Sequence, residues 1–291
     1  MAEKFSQSNK FTVVGTLVSA EVKNGRRASN GAEYVSVNAL VRSNIDGRTH
    51  EYELSFYANA LTQDGKESKL FTSYSKMPEL INKKIEVTGS MRENRYWSSN
   101  TNQLVSSQQL NGQFVRAVSD ATADMATFEI SGFVAKELVE KTNKNNEIYR
   151  YDITIGQVNY SGDSASMFTL HVNPTQMEIV NGVKKYQAGQ TIKVTGSLAF
   201  IVEQKTVEDT SYTFGASVTK TFTNRQRNFY IEAGSAPITD ETAYPSAVIR
   251  SLIEAYKARD VEIQARAQTG GEERTPVTSA APVTKRQTSL I

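Results

Sequence analysis

The stretch Ile85-Glu86-Val87-Thr88-Gly89-Ser90-Met91 returns 107 residues later as Ile192-Lys193-Val194-Thr195-Gly196-Ser197-Leu198. Upstream, Phe11-Thr12-Val13-Val14-Gly15 returns as Phe128-Glu129-Ile130-Ser131-Gly132, at an offset of 117. Between these two matches, residues 34–41 align with 150–157 and residues 52–54 with 168–170, both at an offset of 116. The matches keep their order, and one longer segment at 61–69 absorbs the change in spacing. Ordered self-similarity of this kind marks an internal duplication.

Each copy reads as strands. In the first, Val35, Val37, Ala39 and Val41 alternate with polar neighbours, the period-2 pattern of a strand with one apolar face. Asp46-Gly47 supplies a tight turn, after which Tyr52, Leu54 and Phe56 alternate with Glu51, Glu53 and Ser55. Residues 71–81 are the helix-like stretch before the repeated motif, and 114–118 close the unit. The second copy gives the same order at 128–140, 149–158, 165–172, 174–180, 191–202 and 228–233. Strand parity assigns Tyr52, Phe56 and Tyr151 to the core, and Phe11, Phe71 and Phe114 are assigned there too. Three strands, a helix and two strands is the order of the OB-fold. The expected fold is all-β: two tandem OB-fold barrels, each five-stranded and Greek-key, followed by a C-terminal helix and a disordered tail. Residues 1–118 and 119–238 are the expected OB-fold domains. A C-terminal amphipathic helix is expected within 239–268, with Pro245 near its start and Val248, Ile249, Leu252, Ile253 and Tyr256 as its apolar face. Residues 269–291, rich in Gly, Pro, Thr, Ser and charge, read as the tail.

Composition narrows the function classes. The chain of 291 residues has no cysteine, which excludes disulfide scaffolds, thiolate zinc sites and cysteine nucleophiles. His50 and His171 are its two histidines, a poor supply for acid–base catalysis. There is no GxxxxGK[ST], no GxGxxG after a strand, no HExxH and no GxSxG. No apolar run approaches the roughly 20 residues of a spanning helix, and the polar N-terminus has no secretory h-region. A non-enzymatic chain without a cofactor or a membrane segment is expected, and the missing thiols fit a reducing cytoplasm. The net charge is +2 overall, but +4 over residues 1–118, −2 over 119–238 and zero over 239–291. The first copy is therefore the stronger electrostatic partner for a polyanion.

The segment Gly189-Gln190-Thr191-Ile192-Lys193-Val194-Thr195-Gly196-Ser197-Leu198 resembles the fourth strand of bacterial and phage single-stranded DNA-binding proteins. Residues 83–91 are similar, without the leading Gly-Gln. The resemblance implies a tandem OB-fold single-stranded DNA-binding protein, most like the bacteriophage type. Such a protein coats and protects exposed strands without sequence preference in DNA replication, recombination or repair, in the cytoplasm (of the host, for a phage protein). Bacterial single-OB relatives end in an acidic tip that recruits partner enzymes. This chain ends in Lys285-Arg286-Gln287-Thr288-Ser289-Leu290-Ile291, so replication or recombination partners are expected at the C-terminal helix or tail. Its oligomeric state is left open.

An OB-fold holds a strand across its second and third strands, between the loops that join strands one and two and strands four and five. Cations follow the phosphates and aromatic faces stack on bases. In the first copy the candidates are Lys23, Arg26 and Arg27 in the first loop, Tyr34, Arg42 and Tyr57 on outward strand faces, and Arg92, Arg95, Tyr96 and Trp97 in the loop after the fourth strand. In the second copy they are Lys141 and Lys144, Arg150 in the place of Tyr34, and Lys205, Tyr212, Phe214, Lys220, Arg225 and Arg227 in a ribbon at 203–227. Bland alternatives stand beside these: a partly buried Trp97, a solvated turn at Arg26-Arg27, and ribbon aromatics that pair with one another. For the whole chain, the alternatives are a phage structural or assembly protein built on OB-like barrels, or an RNA-binding or transcription-accessory protein using the same surface.

Overall fold

The structure is a computed structural model that describes residues 8–159, 162–209 and 218–268. The first copy contributes β1 (Asn9–Arg26), β2 (Glu33–Ile45), β3 (Arg48–Asn59), helix α1 (Lys69–Ser75), β4 (Lys84–Ser98) and β5 (Gln103–Ala117). The second contributes β6 (Met125–Thr142), β7 (Ile148–Val158), β8 (Ala165–Val172), helix α2 (Met177–Val183), β9 (Thr191–Asp209) and β10 (Val218–Gly234). Helix α3 (Ser246–Gln268) follows. The expected tail at 269–291 lies outside the described residues.

The expectation of two separate five-stranded barrels is corrected. All ten strands are hydrogen-bonded into one sheet, in the order β10-β8-β7-β6-β9-β3-β2-β1-β4-β5. The reason lies at the start of each copy. The first half of β1 pairs with β4 on one side, from Phe11↔Gly89 to Thr16↔Lys84, and with β6 on the other, from Asn9↔Ile130 to Val14↔Met125. An edge strand left open by one copy is thus covered by the other, which removes two exposed rows of backbone donors and acceptors. A second bridge joins β3 to β9 at His50↔Ile201. The result is a mostly β protein with a C-terminal helix and an OB-like order of elements.

Strand parity places the core where the alternation predicts. Val35, Val37, Ala39, Val41, Tyr52, Leu54, Phe56 and Tyr151 are buried, as is Phe11, while Phe71 is half-buried against the same core. Phe114 departs from its expected place and is 64% exposed. The register between β4 and β5 shifts between Thr88↔Phe114 and Gly89↔Gly112, so one residue is bulged. That bulge moves Phe114 to the outward face while Leu110 stays inside. The helical stretch expected at 71–81 is split. The Ser68 hydroxyl caps α1 by accepting from the Phe71 amide at 3.3 Å, and Met77–Leu80 forms a separate 3₁₀ turn. Pro78 cannot donate the amide hydrogen that a continuous helix would need.

Helix α3 lies across both copies. Its first turns bury Ile249 and Leu252 in a second cluster with Phe133, Val158, Ala165 and Tyr244. Further along, Tyr256 donates to Glu93 of β4 at 2.6 Å. Among the described residues, no helix is long and apolar enough to cross a membrane.

Candidate nucleic-acid interface

The outward faces of β2, β3, β4 and β5 form an open groove of about 500 Å³. Its walls carry Ser36, Asn38, Ser55, Tyr57, Arg92 and Asn111, all with side chains that donate hydrogen bonds. Beneath them, Gly112 leaves room for the Phe56 ring, which a Cβ there would meet at 2.1 Å. Tyr74, also on the lining, sends its hydroxyl to the Gln113 carbonyl at 2.7 Å, and burial pushes its pKa up to about 12. The groove floor is therefore held rigidly, while its walls stay polar.

At one end stands an aromatic stack. Tyr34 and Tyr57 lie with ring centroids 5.4 Å apart and an interplanar angle of 27°, and Tyr57 is 47% exposed. Arg27 donates its Nε–H to the Tyr57 hydroxyl at 2.9 Å, and its guanidinium carbon sits 5.5 Å from the ring centroid. An exposed ring flanked by a guanidinium offers a face to a base and a charge to the adjoining phosphate. Arg92, exposed on β4, supplies a second cation across the groove.

The remaining candidates sort by their neighbours. Lys23 and Arg26 belong to β1 itself, not to a loop, and Arg26 is paired with Glu33 at 2.7 Å. Arg42 on β2 is paired with Glu51 at 2.7 Å. Arg92, Arg95, Tyr96 and Trp97 lie within β4, because it runs on to Ser98 as a hairpin with β5, with Tyr96↔Val105 and Trp97↔Leu104 as pairs. Pairs of an aromatic with an aliphatic side chain sustain those rungs in a stretch whose Ser, Asn and Gln content read as a loop. Tyr96 and Trp97 are half-buried. Arg95 is corrected as an exposed cation: its side chain is 4% exposed, contacts Glu93 and Asp260, and lies 3.6 Å from the Tyr256 ring centroid. In the second copy Lys141 lies half-buried in β6, and Lys144 is exposed in the turn before β7. Arg150 is held by Asp152 at 2.7 Å and by Asn228 at 3.3 Å. Tyr212 and Phe214 lie outside the described residues, as do the side chains of Lys205 on β9 and Lys220 on β10. Arg225 and Arg227 reach Glu51 and Glu53 on β3 of the first copy.

The two copies therefore present unlike faces. Where the first has Ser36 and Ser55, the offset of 116 puts Asp152 and His171 in the second. His171 Nδ1 lies 2.9 Å from Asp152, and burial followed by the Arg150 charge holds its pKa below the usual histidine value. On that face Arg150, Asp152 and His171 pair with one another, while the face of the first copy carries the open groove. Sequence reasoning missed the contacts of Arg95 with Tyr256 and Asp260, since nothing local signals a contact 161 residues away, and it did not single out Glu93 two positions before the arginine.

Fold and site together define a duplicated β protein with an open, polar, aromatic-flanked groove on its first copy. The chain matches the YorF family over residues 7–268 and belongs to that family. No curated protein sequence matches it. Among solved structures it is similar to the wild-type single-stranded DNA binding protein from Thermus aquaticus, at 11% identity over 83% of this chain and 98% of that chain, with a TM-score of 0.49. A deletion mutant of the same Thermus aquaticus protein gives 13% identity over 82% and 97%, with a TM-score of 0.48. The mitochondrial single-stranded DNA binding protein from S. cerevisiae gives 13% identity over 40% of this chain and all of that chain, with a TM-score of 0.28.

Proposed function

We propose that this chain binds single-stranded DNA without sequence preference, as a cytoplasmic coat for strands exposed in replication, recombination or repair, and that residues 1–118 form the principal binding unit. The observation that carries this reading is the Tyr34–Tyr57 stack with Arg27 at its edge, opening onto a groove lined by Arg92 and short polar side chains. A groove with aromatic faces and flanking cations suits any base, since every base has a stacking face. The segment charge of +4 over residues 1–118 is opposite in sign to a phosphate backbone and so attracts it. The role is to hold a polymer, and the groove brings no acid–base pair to bear on it.

The test is a titration with oligothymidine, oligouridine and a duplex of equal length, following Trp97 fluorescence at two salt concentrations. Salt-sensitive binding of oligothymidine over duplex is the expected result. Tighter binding of oligouridine would assign the groove to RNA, and absence of binding at low salt would leave a protein-interaction module. Replacing Tyr57 by Ala should weaken binding by about 1–3 kcal/mol if its ring stacks on a base.

A further inference from the structure

The outward face of the β2–β3 ladder continues past the groove. Its rungs are Ser36↔Tyr57 and Asn38↔Ser55 within the groove, then Leu40↔Glu53 and Arg42↔Glu51. At this far end the β9–β10 hairpin arrives from the second copy. Arg225 contacts Glu51 and Glu53, each at 3.4 Å, and Arg227 contacts Glu53. Arg42 takes Glu51 at 2.7 Å. Among the described residues, three guanidinium groups thus share two carboxylates in line with the groove.

Packing alone does not demand these charges. The reciprocal contact, of the β4–β5 hairpin on β8, is made by Gln108, which donates to the Thr169 carbonyl at 3.0 Å, and by Glu93, which accepts from the Met167 amide at 2.8 Å. Gln108 faces Glu93 across its hairpin as Arg227 faces Phe200, and Thr169 stands 116 residues from Glu53. The same docking is therefore achieved once through backbone groups of the facing strand and once with arginines on its carboxylates. Arg225 and Arg227 remain 37% and 46% exposed, against 9% for Glu51 and 32% for Glu53. Ion pairs of such solvated arginines contribute little to stability, whereas the phosphodiesters of a strand offer arginine bidentate acceptors of the same charge along a polyanion whose binding also releases counterions.

We propose that Glu51 and Glu53 stand in for phosphates in the free protein. They hold Arg225 and Arg227 along the path a single strand takes out of the groove, and the phosphates of a bound strand displace them. The β9–β10 hairpin of the second copy then acts as a phosphate clamp on the face of the first. This inference rests on the single-strand reading of the groove.

The test uses the full chain titrated with oligothymidine at two salt concentrations. Glu51→Gln and Glu53→Gln should each bind about threefold to tenfold more tightly than the wild type, since the strand no longer competes with a carboxylate. Glu53→Thr, which installs the side chain that the second copy carries at this place, should do the same and guards against a folding defect in the other two. Arg225→Gln with Arg227→Gln should weaken binding and make the salt dependence shallower by about one to one and a half units of slope. Glutamate variants that melt like the wild type but bind no more tightly overturn the clamp. If Tyr57→Ala weakens binding while the glutamate variants change nothing, the groove reading stands and only the clamp fails. A wild-type chain that binds no oligothymidine at low salt overturns both.

Discussion

A methyl group on Gly196 has no space. Its carbon would lie 1.8 Å from the Tyr230 carbonyl oxygen and 2.9 Å from the Phe128 ring, and one on Gly89 would lie 2.0 Å from the Asn111 carbonyl and 2.8 Å from Phe11. The glycine of the repeated motif is thus where the first, fourth and fifth strands of each copy cross most closely. Gly196→Ala or Gly89→Ala should cost about 1–3 kcal/mol of stability through forced backbone shifts, read as a lower urea midpoint with an unchanged m-value. The two histidines give a second prediction at this scale. His50 and His171 are buried, and burial lowers both pKa values, with the Arg48 and Arg150 charges adding to the effect. A histidine that binds its proton less readily when folded draws the chain towards unfolding as protons are added. Their contribution is fully present above the unfolded value near 6.5 and is lost as pH falls below it. The melting temperature should therefore fall between about pH 7 and pH 5, and His171→Gln should flatten that slope.

Among the elements, α3 and the β4–β5 hairpin are coupled. Arg95 is enclosed by Glu93, Asp260 and the Tyr256 ring, and the Tyr256 hydroxyl donates to Glu93, whose other oxygen accepts from the Met167 amide at 2.8 Å. Burial, then the Glu93 carboxylate, raises the Tyr256 pKa, so the phenol stays a donor across the physiological range. Removing the guanidinium leaves the buried Glu93 carboxylate without its counter-charge. Arg95→Met should cost about 3–5 kcal/mol, and hydrogen exchange should show lost protection in α3 beyond Tyr256 while Ile249 and Leu252 stay docked. Tyr256→Phe removes one hydrogen bond to a charged group and should cost about 1.5–3 kcal/mol.

At the scale of the molecule, Phe11↔Phe128 is the rung at which the duplication meets itself, since these residues correspond at an offset of 117. Two copies pairing the same strand on each other is the isologous geometry of a symmetric dimer, built here within one chain. The proposed function rests on departures from that symmetry: open groove against internal ion pairs, Arg227 against Gln108. The Tyr52 hydroxyl on the Leu198 carbonyl at 2.8 Å and the Tyr52–Phe200 ring contact bury further surface between the copies. The chain should accordingly unfold in one transition. Trp97 fluorescence reports on the first copy and far-UV circular dichroism on both, so their urea curves should coincide.

The amino-acid sequence determined the duplication, the strand order within each copy, the inward faces of β2 and β3, and the helix after the second copy. Those features rest on periodicity and turn chemistry, which act between near neighbours. It also marked Tyr34, Tyr57, Arg27 and Arg92, which strand parity or loop position turns outward. Only the tertiary structure decided that the copies share one sheet, that Phe114 faces solvent, that Arg95 is walled in by α3 and that Arg225 and Arg227 rest on Glu51 and Glu53. Each of these depends on a register or a pairing more than 20 residues away in sequence. Local patterns carry no record of which distant edge or carboxylate completes a strand or a charge.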